Sequence, residues 1–190
     1  MNDTYMEKMT SQLVKEAERG NQIAWNTLVK IFQKRIFAVA LVITKDVHDA
    51  DDATQETFVT FFKNLKKIRD PEKTEQWLLK TAINKARDLY RRNKIRRWLP
   101  LSDVKAKDPS NVEESYYLTE LKQIFETWQK SNLSNKEQLV FQLRFGEEKE
   151  LGEIAGVLGM NINTVKTHLH RAMKKLRSDA KELIKGKSDE

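Results

Sequence analysis

Two sets of side chains in this 190-residue chain could do chemistry, and both point to recognition rather than bond-making. Asp49, Asp52, Gln55 and Glu56 recur at three- and four-residue steps in a segment, Lys45 to Glu56, with five acids against one lysine. Carboxylates and an amide on one helical face leave three readings: a solvated acidic face, a metal site, or a surface for a basic partner. The second set is cationic. Between Lys80 and Arg97 stand Lys80, Lys85, Arg87, Arg91, Arg92, Lys94, Arg96 and Arg97 with one acid, Asp88; between Asn161 and Arg177 stand Lys166, Arg171, Lys174, Lys175 and Arg177 with none. Two basic blocks separated by acid-rich sequence suggest two contacts with a polyanion. No nucleophile–base pair and no phosphate-cradling loop is visible, so a helical enzyme built on the acids and histidines ranks last among the readings. There is no cysteine, hence no disulfide framework or thiolate metal site, which suits a reducing compartment. Three histidines give no metal-binding spacing, and no cofactor is expected.

The elements that must position these groups are helical. Six glycines and three prolines argue against a turn-rich β protein. Ile23, Leu28, Ile31, Phe32, Ile36, Val39, Ala40 and Ile43 mark an amphipathic helix over about 21–44. Asp46 can cap the next one, with apolar positions Ala50, Ala53, Phe58, Phe61, Phe62 and Leu65, the phenylalanines expected in the core. Arg69-Asp70-Pro71 interrupts the pattern, and a long helix resumes from Thr74 through Trp77, Leu78, Ala82, Ala86 and Leu89. Residues 98–113 hold Pro100 and Pro109, are polar and lack periodicity, which marks a linker. Beyond it Leu118 to Trp128, a capping box at Ser134-Asn-Lys-Glu137, Glu150 to Leu158 and Asn161 to about Leu183 each read as helix. The expected fold is all-α: two small helical domains joined by a flexible linker, over 1–97, 98–113 and 114–190.

Glu150 to Lys166 has the pattern of a helix-turn-helix: inward Ile154, Ala155 and Leu158, a turn at Gly159, an N-cap at Asn161. Val165, Leu169, Ala172 and Leu176 anchor the second helix. Asn163, Lys166, Thr167, His170, Arg171 and Lys174 spread over its other side, where they can hold phosphates and read base edges. The longest apolar run, Ile36 to Ile43, is far short of the roughly 20 residues of a membrane span. The polar amino end does not read as a signal peptide, so a cytoplasmic protein without membrane insertion is expected.

Thr164-Val165-Lys166-Thr167-His168-Leu169 resembles both LuxR-type response regulators and the fourth conserved region of sigma factors, and a free-standing helix-turn-helix regulator is the second reading. The other half decides between them. Asp52-Ala-Thr-Gln55-Glu56-Thr-Phe58 followed by Trp77-Leu78, Ala82-Ile-Asn84, Asp88 and Arg91-Arg92 resembles the second conserved region of extracytoplasmic-function sigma factors, the small two-domain class. The resemblance implies an alternative sigma factor, not an enzyme, that binds core RNA polymerase and reads promoter DNA. It implies that Asp49, Asp52, Gln55 and Glu56 meet the clamp of the largest polymerase subunit and that the second domain meets the flap of the next largest. It implies that Arg69, Asp70, Lys73, Lys80, Asn84, Lys85, Arg87, Arg91 and Arg92 serve the −10 element, with Asn84 and the preceding loop holding a flipped base. Asn163, Thr164, Lys166, Thr167, His170, Arg171 and Lys174 would serve the −35 element. An anti-sigma factor is the further implied partner. The loop Ile68 to Thr74 departs from the family pattern: it lacks aromatic residues near its ends, and Asp70 stands where a glycine is common.

Overall fold

The computed structural model of the chain describes residues 2–98 and 132–186. Seven α-helices lie among them and no strand. The N-terminal unit holds α1 (Asn2–Glu18), α2 (Gln22–Thr44), α3 (Val47–Asn64) and α4 (Thr74–Trp98), with single 3₁₀ turns at Leu65–Lys67 and Pro71–Lys73 between the last two. The C-terminal unit holds α5 (Asn135–Phe141), a π turn at Gln142–Gly146, α6 (Leu151–Leu158) and α7 (Ile162–Gly186). The expected helix over Leu118–Trp128 lies outside the described residues, as does the linker beyond Trp98.

Local chemistry sets the helix starts. Asn21 Oδ1 accepts from the backbone N–H groups of Ile23 and Ala24 at 3.0 and 3.2 Å, and Asp46 Oδ1 accepts from Asp49 N at 3.0 Å. At α5 the Ser134 hydroxyl accepts from Glu137 N while Ser134 N donates to the Glu137 carboxylate at 2.8 Å, the reciprocal box its sequence predicts. Each such cap is worth about 1 kcal/mol, because it satisfies donors that the first turn leaves unpaired.

Packing is organised by α2. Its first half buries Ala24, Leu28, Phe32 and Ile36 against Val14 and Ala17 of α1, Phe58 and Phe61 of α3, and Leu78 and Ala82 of α4. Trp25 closes this core, its ring 5.8 Å from Phe61 and 5.1 Å from Phe62. Phe62 itself is 58% exposed, which corrects its expected place in the core. Helix α1 is an element that apolar spacing does not announce; it packs on α2 and on both 3₁₀ turns.

The end of α2 is buried all round. Val39, Ala40, Leu41, Val42 and Ile43 are each at most 8% exposed. They belong to one apolar cluster with Leu79 and Ile83 of α4 and with Leu139, Val140, Leu143, Ile154, Val157 and Val165 of the C-terminal unit. A helix apolar on every side needs partners on every side, and fully burying each such side chain contributes about 1.5–3 kcal/mol. In this structure the two units share a joint apolar core.

Charges rim this seam. Arg35 pairs with Glu75 at 2.8 Å and lies 3.5 Å from Glu147, while Lys149 pairs with Glu75 at 2.8 Å. Glu147 is buried, and burial pushes its carboxyl above the usual range against the pull of Gln142 and Arg35. Lys45, which ends α2 in the left-handed conformation (φ 59°), donates its ammonium to Gln138 of α5.

Burial brings Lys45 down from 10.5 to about 8. With the units apart, the amine would lose the burial that α5 supplies and titrate above about 8, so within the window between about pH 8 and 10.5 the docked form holds fewer protons than the separated form. Docking should accordingly strengthen as pH rises through that window. The chain has no cysteine, so a dye pair on two introduced cysteines, one per unit, can follow the separation. Lys45→Gln should flatten the response between pH 8 and 10.5; an unchanged response would remove Lys45 from the seam's energetics.

Candidate functional site

Three surfaces collect the residues that the sequence singles out. The first is the outer face of α3. At 100° per residue Asp52, Gln55, Glu56, Val59 and Phe62 share one arc. Asp52 and Gln55 are exposed and Gln55 donates to Asp51 at 2.7 Å. Burial, foremost, raises the Asp51 carboxyl above its ordinary value. Asp49 is half-buried, and both of its oxygens accept from Asn93 Nδ2 of α4, at 2.7 and 2.6 Å. Val59 and Phe62, 51% and 58% exposed, extend this face with apolar area that the sequence pattern assigns to no surface.

The second surface is α4 with the turn before it. Lys80, Asn84, Arg87 and Arg91 fall within an arc of about 60°. Lys80, Asn84 and Arg91 are exposed and Arg87 is half-buried. Burial, then the neighbouring Arg91 cation, lowers the Arg87 guanidinium from its usual range. Crowded cations of this kind are relieved by a phosphate. Arg91 also pairs with Asp88. Lys85 and Arg92 stand about 120° round the helix from this line, toward α3, so the nine residues expected for the −10 element do not form one array. Lys85 Nζ is 3.2 Å from Glu56 and Arg92 is 4.0 Å from it.

The turn itself is built by proline. Asp70 is extended before Pro71 (φ −129°, ψ 83°), Pro71 opens the 3₁₀ turn, and the buried Thr74 hydroxyl donates to Pro71 O at 2.6 Å. Arg69, Asp70 and Lys73 are exposed. Lys73 and Asp70 pair at 2.7 Å, and the hydrogen bond from Lys73 to Asp70 draws the lysine above its ordinary value. Leu65 and Ile68 fix the base of the segment against the core that includes Val14 and Ala17 of α1.

The third surface is the helix-turn-helix. Gly159 ends α6 in the left-handed conformation (φ 64°, ψ 38°), where a glycine carries no Cβ penalty. Asn161 Oδ1 accepts from Asn163 N at 2.8 Å at the start of α7. Val165 and Ala172 are fully buried, Leu169 and Leu176 half-buried, so the expected anchor holds the helix. Asn163, Thr164, Lys166, Thr167, His170, Arg171 and Lys174 are all exposed. Lys175 serves the fold instead, since its ammonium reaches Glu137 at 2.8 Å and Asn132 O at 3.0 Å and so ties α7 to α5. Burial works against the Glu137 charge, but the bonds from Lys175 and Ser134 outweigh it and hold the carboxyl below its ordinary value.

Two helical units, one carrying an acidic helix face beside a basic helix and the other a helix-turn-helix with a polar cationic face, fit a DNA-binding transcription protein. Comparison with known proteins narrows the class. The family model of sigma-70 region 2 matches residues 28–96 and that of sigma-70 region 4 matches residues 131–178. The chain belongs to the sigma-70 family. It is 28% identical to the ECF RNA polymerase sigma factor SigW of Bacillus subtilis, over 94% of this chain and all of that protein. It is 30% identical to the RNA polymerase sigma factor SigV of the same organism, over 80% of this chain and 87% of that one. A solved structure of CnrH in complex with the cytosolic domain of CnrY superposes with a TM-score of 0.65 at 26% identity, covering 92% of this chain and 98% of that chain. These relatives and the paired domains identify an alternative sigma factor of the extracytoplasmic-function type, which directs RNA polymerase to promoters in transcription initiation. Among the described residues no helix is long and apolar enough to cross a membrane.

Proposed function

We propose that the three surfaces divide the work of initiation. In this reading α3, through Asp49, Asp52, Gln55 and Glu56, meets the clamp of the polymerase's largest subunit; α4 and the turn before it read and open the −10 element; and α7 reads the −35 element while its unit meets the flap of the second-largest subunit. The chain itself makes and breaks no covalent bond. Residues 1–97 and 114–190 act as separate domains and 98–113 as the connection. One observation carries the reading: exposed cationic arcs lie on two different units, and on one of them Asp52 and Gln55 of the neighbouring helix are exposed beside the arc. CnrH is seen with the cytosolic domain of CnrY, which supports an anti-sigma partner for this chain in the cytoplasm.

Geometry adds a requirement. The two elements are named for positions about 25 base pairs apart, about 85 Å of duplex at roughly 3.4 Å per pair. A compact chain of this length is about 40 Å across. The docked form thus cannot reach both elements, and the seam over Val39–Ile43 must open. A connection of about 16 residues can extend to about 50 Å, enough to permit it.

Two outcomes test the division. Gln55→Ala with Glu56→Ala should weaken co-purification with core polymerase by about tenfold, roughly 1.4 kcal/mol, with helicity and melting close to wild type; retained affinity would remove α3 from the clamp contact. On promoter variants, Arg171→Ala should relax preference at one or two −35 positions, since bidentate arginine–guanine contacts discriminate by about 1–3 kcal/mol. Lys174→Ala should lower all promoters alike and reduce salt dependence. A uniform loss from Arg171→Ala would make it a phosphate anchor instead.

A further inference from the structure

Glu56 belongs to the acidic face of α3, yet its carboxylate is engaged inside the molecule. One oxygen lies 3.2 Å from Lys85 Nζ and the other 4.0 Å from an Arg92 nitrogen, both on α4. The next helical turns repeat the arrangement, with Asn93 donating to both oxygens of Asp49. Among the described residues no acid pairs with Lys80 or Arg87 on the outer arc of α4 and Arg91 pairs with Asp88 of the same helix, whereas Lys85 and Arg92 face one carboxylate of α3 between them. A carboxylate oxygen 3.2 Å from Lys85 Nζ competes for that ammonium with any phosphate oxygen. The Glu56 and Lys85 side chains are 44% and 33% exposed, so the pair lies within reach of solvent and of partners on either side.

We infer that Glu56 masks Lys85 and Arg92 from DNA, acting as an internal competitor for phosphate. The free chain presents Lys80, Asn84 and Arg87 to DNA, with Arg91 paired to Asp88 on its own helix, but not the flank formed by Lys85 and Arg92. The flank becomes available when a cationic partner on the acidic face draws Glu56 away. This rests on the assignment of α4 to promoter DNA and of α3 to a basic polymerase surface, and gives Glu56 a positioning role in both. Because a half-exposed pair is weak, the mask is reversible and its strength falls with salt.

The test uses the full-length chain without polymerase and a fluorescein-labelled single-stranded oligonucleotide, read by anisotropy over a salt series. Glu56→Gln should tighten binding about three- to tenfold. It should also steepen the dependence of log affinity on log salt by about 0.7 for each phosphate gained. Glu18→Gln removes the same charge from an exposed acid on α1 and should change affinity less than about twofold. The gain from Glu56→Gln should vanish in a Lys85→Gln, Arg92→Gln background. If Glu56→Gln and Glu18→Gln behave alike, the mask is overturned. If instead Lys80→Gln with Arg91→Gln leaves binding unchanged, the assignment of α4 to DNA fails, and the two failures are distinguishable within one set of variants.

Discussion

The structure depends on the burial of the last two turns of α2 on all sides. Val39 to Ile43 share a core with α3 and α4 of their own unit and with α5 of the other, while α6 packs against α4, so one helix end lies at the centre of a joint core. Removing so much contiguous apolar area from water is the dominant favourable contribution available to a small helical chain. It fixes the angle at which α2 meets α4, and through α4 the direction in which Asn84 and Arg91 point. It also fixes which surfaces of the C-terminal unit remain outside: α6 turns inward through Ile154 and Val157, and the polar side of α7 is left to solvent.

The same burial sets a conflict that charge resolves. A sigma factor must present separate DNA-reading surfaces, while its most apolar helix end favours keeping the units together. The seam is rimmed by Arg35, Glu75, Glu147 and Lys149 and by a lysine forced toward neutrality, groups that lose hydration when docked. Desolvating them offsets part of the apolar gain. The docked state is thereby held below the stability that its apolar area alone would give, which leaves partners such as polymerase and promoter able to separate the units.

Much of this is legible in the sequence. Asp46, Ser134 and Asn161 cap the helices that their positions predict, because a cap needs only one side chain and the next three residues. The exposed set on α7 follows from a clean separation of Val165 and Ala172 from the cations. Apolar spacing misplaces Phe62 because it sits at the edge of the α3 apolar arc, where a helical period does not separate rim from core; only the position of Trp25 decides it. Helix α1 escapes the pattern because its inward residues include Thr10 and Ala17, weak apolar signals between charged neighbours. The run Ile36 to Ile43 reads as the apolar side of an amphipathic helix, yet its end is buried on every side, because a sequence does not say which element will supply the second side. Nor does it show that Lys85 and Arg92 turn toward Glu56, since that depends on how α3 and α4 cross.

The central claim is that this chain programmes polymerase through two DNA elements read by two units. Run-off transcription with core polymerase on a promoter library tests it most directly. The expected result is discrete transcripts that require the added chain and come from templates sharing an upstream and a downstream element at a fixed spacing. Specific DNA binding without polymerase, together with no transcript dependent on the chain, would contradict it.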